Sequence, residues 1–144
     1  MKTITYDTSV TIAAPREAVW TVLSEVAAWP EWHPAVTKVQ ALDGNSLSLG
    51  SRFVVHQPKL RAVTWGVSKL EKPRLFDWDA RSPGLALVAE HTVHEESPRK
   101  SILTLRFSFH GIIGWITSKF YGSITKKYLV QEAAAIKQKV EASR

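Results

Sequence analysis

The sequence predicts an α+β domain in which a curved antiparallel sheet of seven strands wraps one long helix, and three observations predict it. The chain opens on a strand-like alternation, residues 35–109 hold six further strand patterns separated by turn residues, and residues 112–142 form a proline-free block that ends in a strong helix former. With 144 residues, 44% of them hydrophobic, the chain is long enough to bury one core and is read as a single domain, 1–144.

Each element has a local reason. Ile4, Tyr6, Thr8, Val10 and Ile12 fall on one face of the first strand and Thr5, Asp7, Ser9 and Thr11 on the other. Pro15 then suits the start of a helix, and PREAVWTVLSEV places Val19, Val22, Leu23 and Val26 at helical spacing. Pro30 and Pro34 stop that helix from running on, so WPEWHP (29–34) is a second short helical turn or a stiff loop. The strands that follow are carried by AVTKVQAL, SRFVVHQ, LRAVTWGVSKL, LFDWDA, LALVAEHTVHEE and SILTLRFSFHG, with Gly, Pro, Asn and Ser between them. In the terminal block Ile113, Ile116, Phe120, Ile124 and Tyr128 share one face, while Leu129, Ala133, Ile136 and Val140 lie nearly opposite. One straight helix cannot turn both stripes to a single core, so a bend or break is expected between Phe120 and Leu129, with Gly122 the weak point. The alternatives are that the first stripe covers a cavity mouth, or that residues 112–121 join two copies of the chain as a homodimer.

Composition narrows the chemistry. Cysteine is absent, which removes disulfides, thiolate metal sites and cysteine nucleophiles, and fits a reducing cytoplasm. The N-terminal alternation is unlike a signal peptide, and no apolar run reaches the length of a membrane span. The net charge of +6 is spread among acidic residues without a basic helix or a nucleic-acid motif, so it reads as solvated surface rather than a nucleic-acid footprint.

Taken together, TIAAPREAVWTVLSEVAAWPEWHPAVTKV (11–39), LGSRF, FDWDA, AEHTVHE and LTLRFSFHG resemble the SRPBCC superfamily, the START-like helix-grip fold shared with Bet v 1, and within it the polyketide cyclase/dehydrase branch of small bacterial proteins. The resemblance spans essentially the whole chain. It implies a seven-stranded sheet gripping the C-terminal helix around a deep apolar cavity, with two short helices after the first strand. It also implies a hydrophobic ligand such as a lipid or a polyketide. No metal or iron–sulfur ligand pattern is present, and no cofactor is implied.

Strand periodicity then sorts the cavity candidates. Phe53 and Val55, Val63, Trp65 and Val67, Phe76 and Trp78, Ala89, His91 and Val93, and Leu103, Leu105, Phe107 and Phe109 are the inward sets. Asp77, Asp79, Glu90, His94 and Arg106 point the other way. The expected ligand contacts are Trp29, Trp32, His33, Phe53, Val55, Trp65, Trp78, His91, Leu103, Leu105, Phe107, Ile116 and Phe120, a largely aromatic wall suited to a flat apolar molecule. Of these, Phe107, Leu103 and Leu105 are read first as plain core and second as ligand contacts.

His91 is the candidate general acid/base, since a neutral imidazole both accepts and donates protons, and His33 is the next. No His–carboxylate dyad is visible along the chain: Glu95 shares the face of His91 but lies roughly 13 Å away along the strand. Ligand binding, with His91 as a polar anchor, is therefore the expected function, and a cyclase or dehydratase using His91 is the alternative.

Overall fold

The alternation that opens the chain becomes β1 (Thr3–Ile12), whose even-numbered side chains turn inward as far as the fully buried Ile12. Of the 144 residues, the computed structural model describes 3–143. Beyond Pro15, which is extended, come α1 (Arg16–Ser24) and a 3-10 helix (Val26–Glu31) that contains Pro30. Six strands follow: β2 (Lys38–Ala41), β3 (Arg52–His56), β4 (Val63–Glu71), β5 (Leu75–Ser82), β6 (Leu85–Ser97) and β7 (Lys100–His110). The chain ends in α2 (Gly111–Ala142).

All seven strands form one antiparallel sheet in the order β1-β7-β6-β5-β4-β3-β2. The first strand thus pairs with the last, in register from Thr3 opposite His110 to Ile12 opposite Ser101. α2 lies across β1, β7 and β6 and touches α1. The inward faces anticipated from periodicity are the ones the sheet adopts: Phe53, Val55, Trp65, Val67, Phe76, Trp78, His91, Val93, Leu103 and Leu105 are buried.

The turn into α2 is sharp. Gly111 has φ +85°, and a Cβ there would stand 2.5 Å from the Gly84 carbonyl oxygen, so only glycine lets β7 swing directly into the helix. Gly84 O in turn accepts the Ile113 N–H at 2.9 Å and caps the first turn. At the far end, Lys137 Nζ reaches Thr11 O, and Glu141 accepts the Ala13 N–H at 2.8 Å and bonds Lys137 as well, fastening the helix to the exit of β1.

Of the bend or break expected between Phe120 and Leu129, the break is not there: α2 is helical without interruption from Gly111 to Ala142. Its buried positions are Gly111, Gly114, Ser118, Gly122, Thr125, Leu129, Ala133, Ile136 and Val140, one continuous stripe at three- and four-residue spacing. Closeness, not hydrophobicity, chose the inner face of the first half. A Cβ on Gly122 would run into the Tyr6 hydroxyl, so at that point the helix backbone lies almost on the sheet. The larger apolar side chains are displaced outward, leaving Ile112, Ile113, Ile116, Phe120 and Tyr121 exposed, Phe120 by 77%. No helix among the described residues is long and apolar enough to cross a membrane.

Candidate functional site

Between sheet and α2 lies a cavity of 280 Å³, close to the lower end of the roughly 300–1,000 Å³ usual for ligand pockets. Trp65 and Trp78, adjacent on β4 and β5, stack at 5.7 Å with their planes 17° apart, and Phe107 from β7 meets Trp65 edge-on at 5.7 Å. Trp29 closes one side, 5.5 Å from Trp78, with its indole N–H donated to Leu23 O at 3.0 Å. Tyr121, Thr117 and Tyr128 of α2 line the cavity from the helix side, and Leu60 and the exposed Arg61 line it from the loop between β3 and β4. Tyr128 donates its hydroxyl to Pro58 O at 2.6 Å, which ties that loop to the helix.

At the inner wall, three charged or titratable side chains from three distant parts of the chain meet. His91 stands on β6 directly opposite Phe76 of β5; the two rings stack at 4.0 Å, and His91 Nδ1–H donates to Phe76 O at 3.0 Å. That bond fixes the tautomer and leaves Nε2 as the free ring nitrogen. Glu132, on the helix face beside Leu129 and Ala133, places Oε2 at 3.7 Å from His91 Nε2. Its other oxygen, Oε1, accepts from His33 Nε2 at 3.2 Å. His33 is oriented by its own neighbours: the Ala35 N–H donates to its Nδ1 at 3.1 Å, so the ring proton sits on Nε2 and points at the carboxylate. The His33 and His91 side chains are 0% and 4% exposed and that of Glu132 is 14% exposed.

The electrostatics follow from burial and pairing. Burial pushes the His91 pKa below the ordinary histidine value, and the Glu132 charge opposes this without cancelling it. Burial pushes Glu132 the opposite way, toward the neutral acid, but the His33 hydrogen bond and the two imidazoles outweigh it and hold the carboxyl below the usual glutamate value. Near neutral pH the site therefore pairs an ionised Glu132 with an unprotonated His91. Among the described residues, no group of three or more His, Asp or Glu is arranged to hold a metal ion.

Of the residues singled out from the sequence, Trp29, Val55, Trp65, Trp78, His91, Leu105 and Phe107 line this cavity. Phe53 and Leu103 are fully buried in the core behind it. Trp32 lies outside the lining and stacks on His33 at 5.5 Å, while His33 reaches the cavity only through Glu132. Ile116 and Phe120 point away from it, because the glycine-bearing face of α2 took the inward position. Sequence reasoning found no carboxylate partner for His91, and the structure supplies one in Glu132, 41 residues further on. Helical spacing sets Glu132 beside the apolar Leu129, Ala133 and Ile136, but does not say which strand residue it meets.

Comparison with known proteins agrees with this architecture. A family model described as polyketide cyclase/dehydrase and lipid transport matches residues 3–141. No curated protein matches. Among solved structures, the Zhui aromatase/cyclase from a Streptomyces species superposes with a TM-score of 0.78 at 19% identity, over 97% of this chain and 94% of that one. Norcoclaurine synthase from Thalictrum flavum, in complex with dopamine and hydroxybenzaldehyde, gives 0.79 at 16% identity over 99% and 89%. A START superfamily protein from Mycobacterium smegmatis gives 0.73 at 16% identity over 97% and 99%. At these identities the structures speak to the fold alone, whereas the family match covers nearly the whole sequence: the chain belongs to the polyketide cyclase/dehydrase and lipid-transport family and carries its helix-grip fold.

Proposed function

We propose that the protein binds a compact, flat, hydrophobic small molecule in the cavity between sheet and α2, with the polar end of that molecule against His91. The observation that carries this reading is the contrast within one cavity, whose walls are the stacked Trp65 and Trp78 with Phe107 and whose inner end is the buried His91–Glu132 pair. A volume of 280 Å³ favours a molecule of a few rings over a diacyl lipid or a sterol. Aromatic walls supply apolar contact and stacking, and one polar locus fixes orientation. Titration of the indole fluorescence with a library of aromatic and lipid molecules, backed by native mass spectrometry for a co-purified ligand, tests the reading. Quenching of Trp65 and Trp78 emission by a bound ring compound is expected, and a library that leaves every tryptophan unchanged sinks the proposal.

A second reading, a cyclase or dehydratase, is favoured by the pairing of His91 with Glu132. An unprotonated His91 Nε2 can take a proton from the carbon between two carbonyls of a bound polyketone, and the resulting enolate carbon forms the ring by attacking another carbonyl. Glu132, 3.7 Å away, stabilises the imidazolium so formed, which returns its proton to the alkoxide left by ring closure; Nε2 then takes a second proton from the adjacent ring carbon and delivers it to the departing hydroxyl as water leaves. His91→Gln separates the readings. If the protein only binds, the variant keeps ligand affinity and most function, because the glutamine amide still offers the ligand a polar contact. If it catalyses, the variant keeps affinity and loses ring closure, by about 100-fold or more for a missing acid/base group.

A further inference from the structure

The inner wall of the cavity presents two acceptors to one another. His91 Nδ1–H is engaged by Phe76 O, which leaves the Nε2 lone pair facing the cavity. Glu132 Oε1 is engaged by His33 Nε2–H, which leaves Oε2 facing the same space. Nε2 and Oε2 are 3.7 Å apart, beyond hydrogen-bonding distance, and among the described residues no protein donor is bonded to either. Neither can serve the other, because neither carries a proton in this tautomer and charge state. A ligand hydroxyl that enters this space has an acceptor on either side and gives its proton to one of them at about 2.8 Å.

We propose that this pair selects its ligand by hydrogen-bond donation: the cavity prefers a flat ring system bearing a phenolic or enolic hydroxyl over the same ring system with that hydroxyl capped. The inference rests on the cavity being a binding site and names the chemistry its polar end recognises. The reason for a hydroxyl is the arrangement itself. His33 is locked by the Ala35 N–H into donating to Oε1, so Glu132 cannot turn that oxygen to the ligand, and Phe76 O holds His91 with its basic nitrogen outward. A ligand that offers only acceptors at this point, such as an ether, leaves two desolvated acceptors unpaired. A ligand hydroxyl satisfies one of them, and its bond is strengthened by the carboxylate charge.

The test compares 2-naphthol with 2-methoxynaphthalene as probes, reading dissociation constants from indole fluorescence in the wild type and in Glu132→Gln. The methyl ether is the more apolar molecule, so the hydrophobic effect works against the expected order and a naphthol preference has to come from the polar end. The wild type is expected to bind the naphthol about tenfold more tightly, the value of one hydrogen bond to a charged group. In Glu132→Gln the amide keeps its oxygen on His33 and offers its NH2 to His91 Nε2, so the preference is expected to collapse toward equality. Equal binding of both probes by the wild type overturns the donor rule while leaving the binding function standing. Binding of neither probe overturns both. The wild-type comparison alone decides the matter should the variant fold poorly.

Discussion

His91 is held between two opposed influences, and which one dominates sets its chemistry. Burial favours the neutral ring and the Glu132 charge favours the imidazolium; burial is the larger. An NMR titration of the ring should show His91 protonating below the usual histidine range, and Glu132→Gln, which removes the opposing charge, should lower the value further. An upward shift in that variant would mean that the carboxyl is not ionised. The same groups bear on stability. A histidine with a depressed native pKa is protonated first in the unfolded chain, so its contribution is present above about pH 6.5 and is lost as pH falls through the native value. Glu132, also depressed, adds stability that is present above its unfolded value near 4.5 and is lost on further acidification. Urea unfolding should accordingly show a lower midpoint at about pH 5.5 than at about pH 7.5, and His91→Gln should flatten that slope. His91 was legible in the sequence because alternation in AEHTVHE assigns it to the inner face. Its partner was not, because strand periodicity relates residues within one strand, and the contact to Glu132 is made by a helix docking across the sheet.

At the scale of elements, the strands and the presence of the long helix were legible, and the inward face of that helix was not. Five inward sets could be read because polar residues alternate with apolar ones, and a shift of one residue would put Arg106 or Asp77 in the core. The long helix defeated the same reasoning because its packing rests on what is missing at Gly114 and Gly122, and hydrophobic periodicity has no term for a close approach. This makes Gly122 testable. On helix propensity alone, Gly122→Ala should stabilise by up to about 1 kcal/mol. Against Tyr6 it should instead cost about 1–3 kcal/mol through overpacking. Combining it with Tyr6→Phe, which removes the obstructing oxygen, should recover much of that cost, and a double-mutant cycle measures the coupling. Additive effects would show that the helix does not bear on Tyr6.

For the whole molecule, the consequence of that packing is a surface feature. Ile112, Ile113, Ile116 and Phe120 stand exposed on the first turns of α2, with Lys119, Lys126 and Lys127 exposed beyond them. No acidic residue occurs between 111 and 131. The homodimer expected through residues 112–121 is tested by sedimentation over a wide concentration range. A dimer that tightens with salt, as screening relieves the facing lysines, and that Phe120→Glu dissociates, is the expected outcome. A monomer throughout removes the homodimer. Phe120→Glu should leave the monomer's own stability within about 0.5 kcal/mol, since that ring packs against little.

The unbroken course of α2 carries one more consequence. Tyr121 and Glu132 both border the cavity, and they stand on one continuous helix about 16 Å apart along its axis. Without a break between them, any tilt of the helix that displaced Tyr121 would also shift Glu132 against His91. If the proposed ligand enters past Tyr121 by displacing the helix, the same displacement would disturb the Glu132–His91 contact.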